Sequence, residues 1–327
     1  MQVPTTALCD SILRGPGAWQ AADFSGPGDW TYSLPPMVTL ELDQAMAAIR
    51  NRGGKLASLT AGDFPLPSFA ADAAQLRQEL RSGRGFVVIT GLPIDLFTDD
   101  EATMLYWGLG AHLGVTLPQN VRGERVYSVR DEGYNIARDY GTVGVRFSKT
   151  AEGLHFHTDS APALMGNTPD VVGLLAVRIA KSGGESKLVS AQTLHNILLR
   201  ERPDLLDRLY RPYHFDRSAE WRPGEPRTLH APVFTYNGSL AIRHFRFYIP
   251  KGHELIGEPL AASDIEPLDF LESIANREEL QVTFSMRPGE IQFVNNDFVL
   301  HSRTPFVDYP EPERRRHLVR LWLRLHA

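Results

Sequence analysis

The sequence predicts an α+β chain built on a double-stranded β-helix, a jelly-roll barrel buttressed by helices. Three observations carry this expectation. Short apolar, β-branched runs dominate from about residue 115 onward, helical periodicity concentrates before that point, and one helical stretch near 190–211 interrupts the strands.

Helices are expected near 38–51 and 70–82, ahead of a buried strand in Gly85–Gly91 (GFVVITG). Thr98 and Glu101 form a capping box, and the helix they open should run to about Leu113 and stop at Gly114. Strands are expected at 171–177, 186–190, 231–236, 239–245, 280–286, 290–296 and 317–325. Asn237-Gly238 is a strong hairpin signal between two of them, and Pro288-Gly289 separates two more. No repeat and no linker divides the chain, so residues 1–327 are expected to form one domain. Its first 35 residues, rich in Gly and Pro, should wrap the surface as an irregular segment.

Composition narrows the class. With 327 residues, 43% of them apolar and 22% charged, the chain can bury a substantial core. A net charge of −5 opposes general nucleic-acid binding, which needs a positive surplus. Cys9 is the only cysteine, so neither an intrachain disulfide nor a thiolate metal cluster can form. The N-terminus lacks the pattern of a secretory leader, and no run of 18 apolar residues occurs. A cytoplasmic protein with a small-molecule substrate, no membrane partner and no nucleic-acid partner is expected.

The chemistry lies in His155-Phe156-His157-Thr158-Asp159. On a strand, residues two apart face the same way, so His157 and Asp159 can converge on one ion. A His-x-Asp pair alone is weak and also fits a polar surface loop. A third imidazole, His301, completes a two-histidine, one-carboxylate set that suits non-haem Fe(II) and leaves positions open. Beyond it, residues 316–325 alternate strictly. Val319, Leu321, Leu323 and Leu325 share an apolar face; Arg316, Arg320, Trp322 and Arg324 share the other. On a solvated edge these arginines would merely keep the strand soluble. Lining a barrel, a buried guanidinium demands an anion, and its planar fork suits a carboxylate such as that of 2-oxoglutarate.

From about Gly85 to the C-terminus, these motifs resemble the taurine dioxygenase (TauD/TfdA) family and its clavaminate-synthase-like relatives, in the family's order. The resemblance implies Fe(II) held by His157, Asp159 and His301, with 2-oxoglutarate and O2 as co-substrates. Arg316, fifteen residues past His301, matches the arginine for the far carboxylate of 2-oxoglutarate. Ser186, in Gly183-Gly184-Glu185-Ser186, stands where the family more often has a co-substrate-binding threonine. Arg320 matches a second arginine, which in taurine dioxygenase holds the anionic end of the substrate. Gln119 and Asn120 fall near a substrate-contacting position of that enzyme, and His155 is a candidate on the face of His157. Arg243, Arg246 and Tyr248 are weaker candidates, and Asp297 is placed to orient His301.

The implied reaction oxidises an unactivated C–H bond of a small, anionic or amino-acid-like metabolite, with release of succinate and CO2. Hydroxylation leads; desaturation, ring formation and cleavage begin alike. The carboxylate at Asp159 favours oxygen transfer over halogenation. An internal acidic partner for Arg320 would remove the argument for an anionic substrate. The chain departs from taurine dioxygenase at Phe156, where that enzyme has tryptophan, and in a long Gly/Tyr/Arg-rich segment at about 130–153, a candidate lid. The His-x-His-x-Asp pattern also echoes zinc hydrolases, but Ser160 replaces their last histidine. Two other readings are a jelly-roll metalloenzyme that does not use 2-oxoglutarate and a non-catalytic binding module.

Overall fold

A computed structural model describes residues 7–141, 145–163, 168–219 and 221–327. Two antiparallel-rich sheets face each other. The larger runs in the order Thr31–Ser33, Phe86–Thr90, Ile291–Asn295, Val171–Arg178, His317–Leu325 and Gly114–Thr116, with Val126–Val129 also on the long last strand. The smaller runs Val282–Phe284, Ser186–Ser190, Val299–Arg303 and Leu154–His157. This is the double-stranded β-helix expected from the strand-rich C-terminal two-thirds.

Alternation in the last strand decides how the sheets are covered. Val319, Leu321, Leu323 and Leu325 join a core with Val38, Leu42 and Met46 of the helix Pro36–Asn51 and Leu76 and Leu80 of the helix Ala70–Ser82. The helix Asp99–Leu113 adds Leu105, Tyr106 and Leu109 to it. Its start is capped as expected: Glu101 N–H donates to Thr98 Oγ1 at 3.3 Å, and Thr98 N–H donates to a Glu101 carboxylate oxygen at 2.9 Å. On the opposite face, Trp322 points between the sheets, into a second core with Phe86, Leu188 and Val299. On the helix side, Gly173 permits close packing, since a Cβ there would clash with the Tyr106 hydroxyl and the Phe293 ring.

Several elements differ from expectation. The stretch at 190–211 is two helices, Ala191–Glu201 and Pro203–Leu209, broken at Arg202 because the residue before a proline disfavours helix. Helices Tyr248–Ile256 and Ala262–Ala275 interrupt the expected run of strands, and each contains a proline, at Pro250 and Pro267. The strands at Pro288-Gly289 lie in different sheets, so that turn crosses between them. Asn237-Gly238 does close a hairpin, pairing Phe234–Tyr236 with Leu240–Ile242. The N-terminal segment does not merely wrap the surface: Trp19 is buried, its indole donates to Arg84 O at 2.8 Å, and Thr31–Ser33 joins the larger sheet. Among the described residues, no helix is long and apolar enough to cross a membrane.

Candidate metal and co-substrate site

Strands Leu154–His157 and Val299–Arg303 pair antiparallel, with His301 directly opposite His157. Asp159 follows two residues past the first strand. Ligand atoms of His157, Asp159 and His301 all lie within 4.8 Å of one another, and all three residues are buried. His157 Nε2 is 3.5 Å and His301 Nε2 3.8 Å from the same Asp159 oxygen, Oδ1. His157 Nδ1 lies 2.9 Å from the carbonyl of His155, which accepts its proton and leaves Nε2 a bare lone pair. Burial, reinforced by His157, pushes His301 down to about 3, so its ring is neutral. Burial would raise Asp159, but the Arg320 charge outweighs it and holds the carboxyl well below its usual range. Two imidazoles and one carboxylate converging on one point fit a divalent iron ion.

The carboxylate is held firmly. Its Oδ2 accepts from Trp322 Nε1 at 2.7 Å and forms an ion pair with Arg320 Nη1 at 3.1 Å. Asn296 grips its main chain twice, accepting from Asp159 N–H at 2.8 Å and donating to Asp159 O at 3.0 Å. The next residue, Ser160, takes the left-handed conformation with φ 59°, and Arg243 donates to the Ser160 and Ala161 carbonyls beneath that turn. No local sequence signal marks Asn296, and alternation marks Trp322 only as one of the inward-facing residues of the last strand.

Several sequence candidates are placed otherwise. Arg320 is committed internally: besides Asp159, its Nε donates to Gln119 Oε1 at 2.7 Å. Gln119 is 1% exposed, and its amide donates to Arg125 O and Arg320 O. The acidic partner removes the argument from an unpaired Arg320 to an anionic substrate, and Gln119 is an orienting group for Arg320. His155 leaves the site because its strand carries an extra residue: Arg303 pairs with Leu154 while His301 pairs with His157. This bulge turns the His155 side chain outward, 73% exposed and 3.9 Å from Glu272. His301 Nδ1 has no partner among the described residues, so Asp297 does not orient it. Asn120 bonds within its own turn, to Arg122 and Glu124, and Arg246 pairs with Asp269 at 3.0 Å on the surface.

Arg316 lies elsewhere in the barrel, lining a cavity of about 210 Å³ with Ser186, Gly183, Gly184, Ser285 and Met286. Gly184 has φ +77°, and a Cβ there would sit 3.3 Å from Arg316 Nε, so glycine makes room for the guanidinium. Arg316 is 6% exposed, and its Nη1 has no partner among the described residues. Burial, with the charge of Arg303, draws it down to about 9, against a smaller opposing pull from Asp308. A buried cation with an unmet donor, beside a hydroxyl and two glycines, is a receptor for a carboxylate.

A smaller cavity, about 60 Å³, opens on His157 and Asp159 and is lined by Arg146, Phe147, Phe245 and Tyr248. Phe245 stands 4.8 Å from the His157 ring, and Phe147 stands 5.3 Å from Phe245. Of the candidates after the hairpin, Tyr248 reaches this wall.

Comparison with known proteins places the geometry in context. Residues 52–322 match the family described as "Taurine catabolism dioxygenase TauD, TfdA family". The chain is 32% identical over 315 residues to FR-33289 synthase of Streptomyces rubellomurinus, covering 95% of this chain and 90% of that protein. Its fold is similar to that of an asparagine oxygenase crystallised with Fe(II), 2S,3S-3-hydroxyasparagine and succinate, at a TM-score of 0.65, 18% identity and coverage of 90% and 93%. It is also similar to the non-heme iron oxygenase OrfP with Fe and alpha-ketoglutaric acid, at a TM-score of 0.64, 16% identity and coverage of 90% and 93%.

Proposed function

This chain belongs to the taurine catabolism dioxygenase TauD, TfdA family of iron(II)- and 2-oxoglutarate-dependent oxygenases, and from that premise we propose which residues perform each part of the reaction. His157, Asp159 and His301 hold Fe(II). Arg316 and Ser186 receive the far carboxylate of 2-oxoglutarate. The observation that carries this assignment is the unmet Nη1 of buried Arg316 in a cavity it shares with Ser186. When bound, iron, 2-oxoglutarate and O2 supply the oxidising chemistry, releasing succinate and CO2 as a C–H bond is oxidised.

The protein's own part is orientation and exclusion of water. Trp322, Arg320 and Asn296 fix Asp159 so that Oδ1 alone faces the two imidazoles. The His155 carbonyl keeps the His157 proton on Nδ1. Phe147, Phe245 and Tyr248 form an apolar wall beside the triad, where a substrate C–H bond would be presented. Hydroxylation of a small anionic or amino-acid-like metabolite fits this cavity. The similar asparagine oxygenase, crystallised with 2S,3S-3-hydroxyasparagine and succinate, supports an amino-acid-like substrate.

The chain works as one domain, with segment 130–153 as its lid; residues 142–144 of that segment lie outside the described residues. The acidic pI near 6.1 and the single cysteine support a cytoplasmic setting without a nucleic-acid partner.

Anaerobic titration of the apoprotein with Fe(II) and 2-oxoglutarate tests the assignment. A weak visible charge-transfer band should appear only with both and vanish in His157→Ala. Arg316→Met should bind 2-oxoglutarate at least roughly 30-fold more weakly, as expected for truncating a buried charge pair. A folded, iron-loaded protein without the band would overturn the reading of Arg316.

A further inference from the structure

Arg303 has no part in the assignment above. It lies two residues beyond His301 and is 9% exposed. Its Nη2 donates to the carbonyl of Thr150 at 2.9 Å and to that of Glu152, while its Nε has no partner among the described residues. The guanidinium rests on Phe306, 5.0 Å from the ring centre, and Arg316 rests on the same ring at 4.9 Å. Two buried cations therefore share one aromatic ring, and each opposes the other's charge.

The segment that Arg303 clasps also meets the iron side. Phe306 N–H donates to Ala151 O at 3.1 Å, and Gly153 lies so close to Pro305 that a Cβ would stand 3.1 Å from its ring. Phe147, three residues before Thr150, packs on Phe245, which packs on His157. Residues 145–153 thus touch the surroundings of both cavities.

We propose that Arg303 is a positioning residue that couples filling of the 2-oxoglutarate site at Arg316 to docking of residues 145–153 beside the metal site. The proposal rests on the reading that Arg316 receives the co-substrate's far carboxylate. An anion at Arg316 offsets the repulsion between the two guanidiniums, so Arg303 stays against the Thr150 and Glu152 carbonyls at lower cost. Linkage makes the effect reciprocal: a docked segment tightens 2-oxoglutarate binding.

The test uses the Mn(II)-loaded full chain, with 2-oxoglutarate affinity by calorimetry and amide hydrogen exchange of 145–153. In the wild type, 2-oxoglutarate should slow exchange there about tenfold. Arg303→Met should keep its Mn(II) affinity, bind 2-oxoglutarate about tenfold more weakly and lose that protection. Arg303→Lys keeps the charge without the fork that spans two carbonyls; it should also lose the protection, and it carries the test if the methionine variant unfolds. Wild-type 2-oxoglutarate affinity in both variants, or exchange in the wild type that ignores 2-oxoglutarate, overturns the coupling while leaving Arg316 its role. Wild-type affinity in Arg316→Met overturns the reading of Arg316 and this inference with it.

Discussion

Asn296 makes no contact with the ligand atoms, yet it determines where Asp159 stands. Its amide satisfies both main-chain groups of Asp159, and the indole of Trp322 and guanidinium of Arg320 take the outer oxygen. Outer groups of this kind typically contribute one to two orders of magnitude to metal affinity. Asn296→Ala should therefore weaken Mn(II) or Fe(II) binding by roughly 10- to 100-fold with the fold intact. Metal titration alongside circular dichroism checks this; unchanged affinity would mean that Trp322 and Arg320 suffice. The same residue scale explains why Arg320 misled the sequence argument. Its type and position were readable, but whether its charge was already matched depended on Asp159, 161 residues away in the chain.

At the scale of elements, one extra residue in Leu154–His157 decides that His157 faces inward and His155 outward. Strict alternation predicts one face for both, and a bulge breaks that rule without leaving a sequence mark. The helix Ala191–Glu201 brings a different consequence. Its His195 is buried, 2.8 Å from the Tyr210 hydroxyl, and burial lowers it to about 4. Above about pH 6.5 the ring is neutral folded and unfolded, so it contributes nothing to pH dependence. As pH falls through 6.5 toward 4, the unfolded chain takes up the proton first and stability is lost, up to about 3 kcal/mol. Urea midpoints measured between pH 7 and 4.5 should fall less steeply in His195→Gln than in the wild type. Equal slopes would assign the acid loss to other groups.

Across the whole molecule, the N-terminal segment acts as a strap across both the barrel and its helical flank. Leu13 exchanges two hydrogen bonds with Asn196, Ser190 Oγ donates to Gly17 O, and Trp19 packs on Phe86 at 5.1 Å. Removing that anchor opens a cavity and strands the carbonyl of Arg84. Trp19→Ala should cost about 3–5 kcal/mol, seen as a lowered denaturant midpoint. A loss under about 1 kcal/mol, the size of a surface substitution, would mean the strap is dispensable.

The sequence by itself determined the barrel, the positions of its long strands along the chain and the three residues whose candidate ligand atoms converge. Those follow from period-two alternation and from residue types that few other chemistries need, and both are written locally. Tertiary structure alone decided which charges are spent and which are available. Arg316, just ahead of the last strand, and Arg320, within it, sit four residues apart, yet one has an unmet donor and the other is bonded to Asp159 and Gln119. It also decided that Arg303 and Arg316 share a ring, and that a strap beginning near Cys9 belongs to the core. Charge pairing and burial depend on neighbours brought from far along the chain, and periodicity carries no information about them.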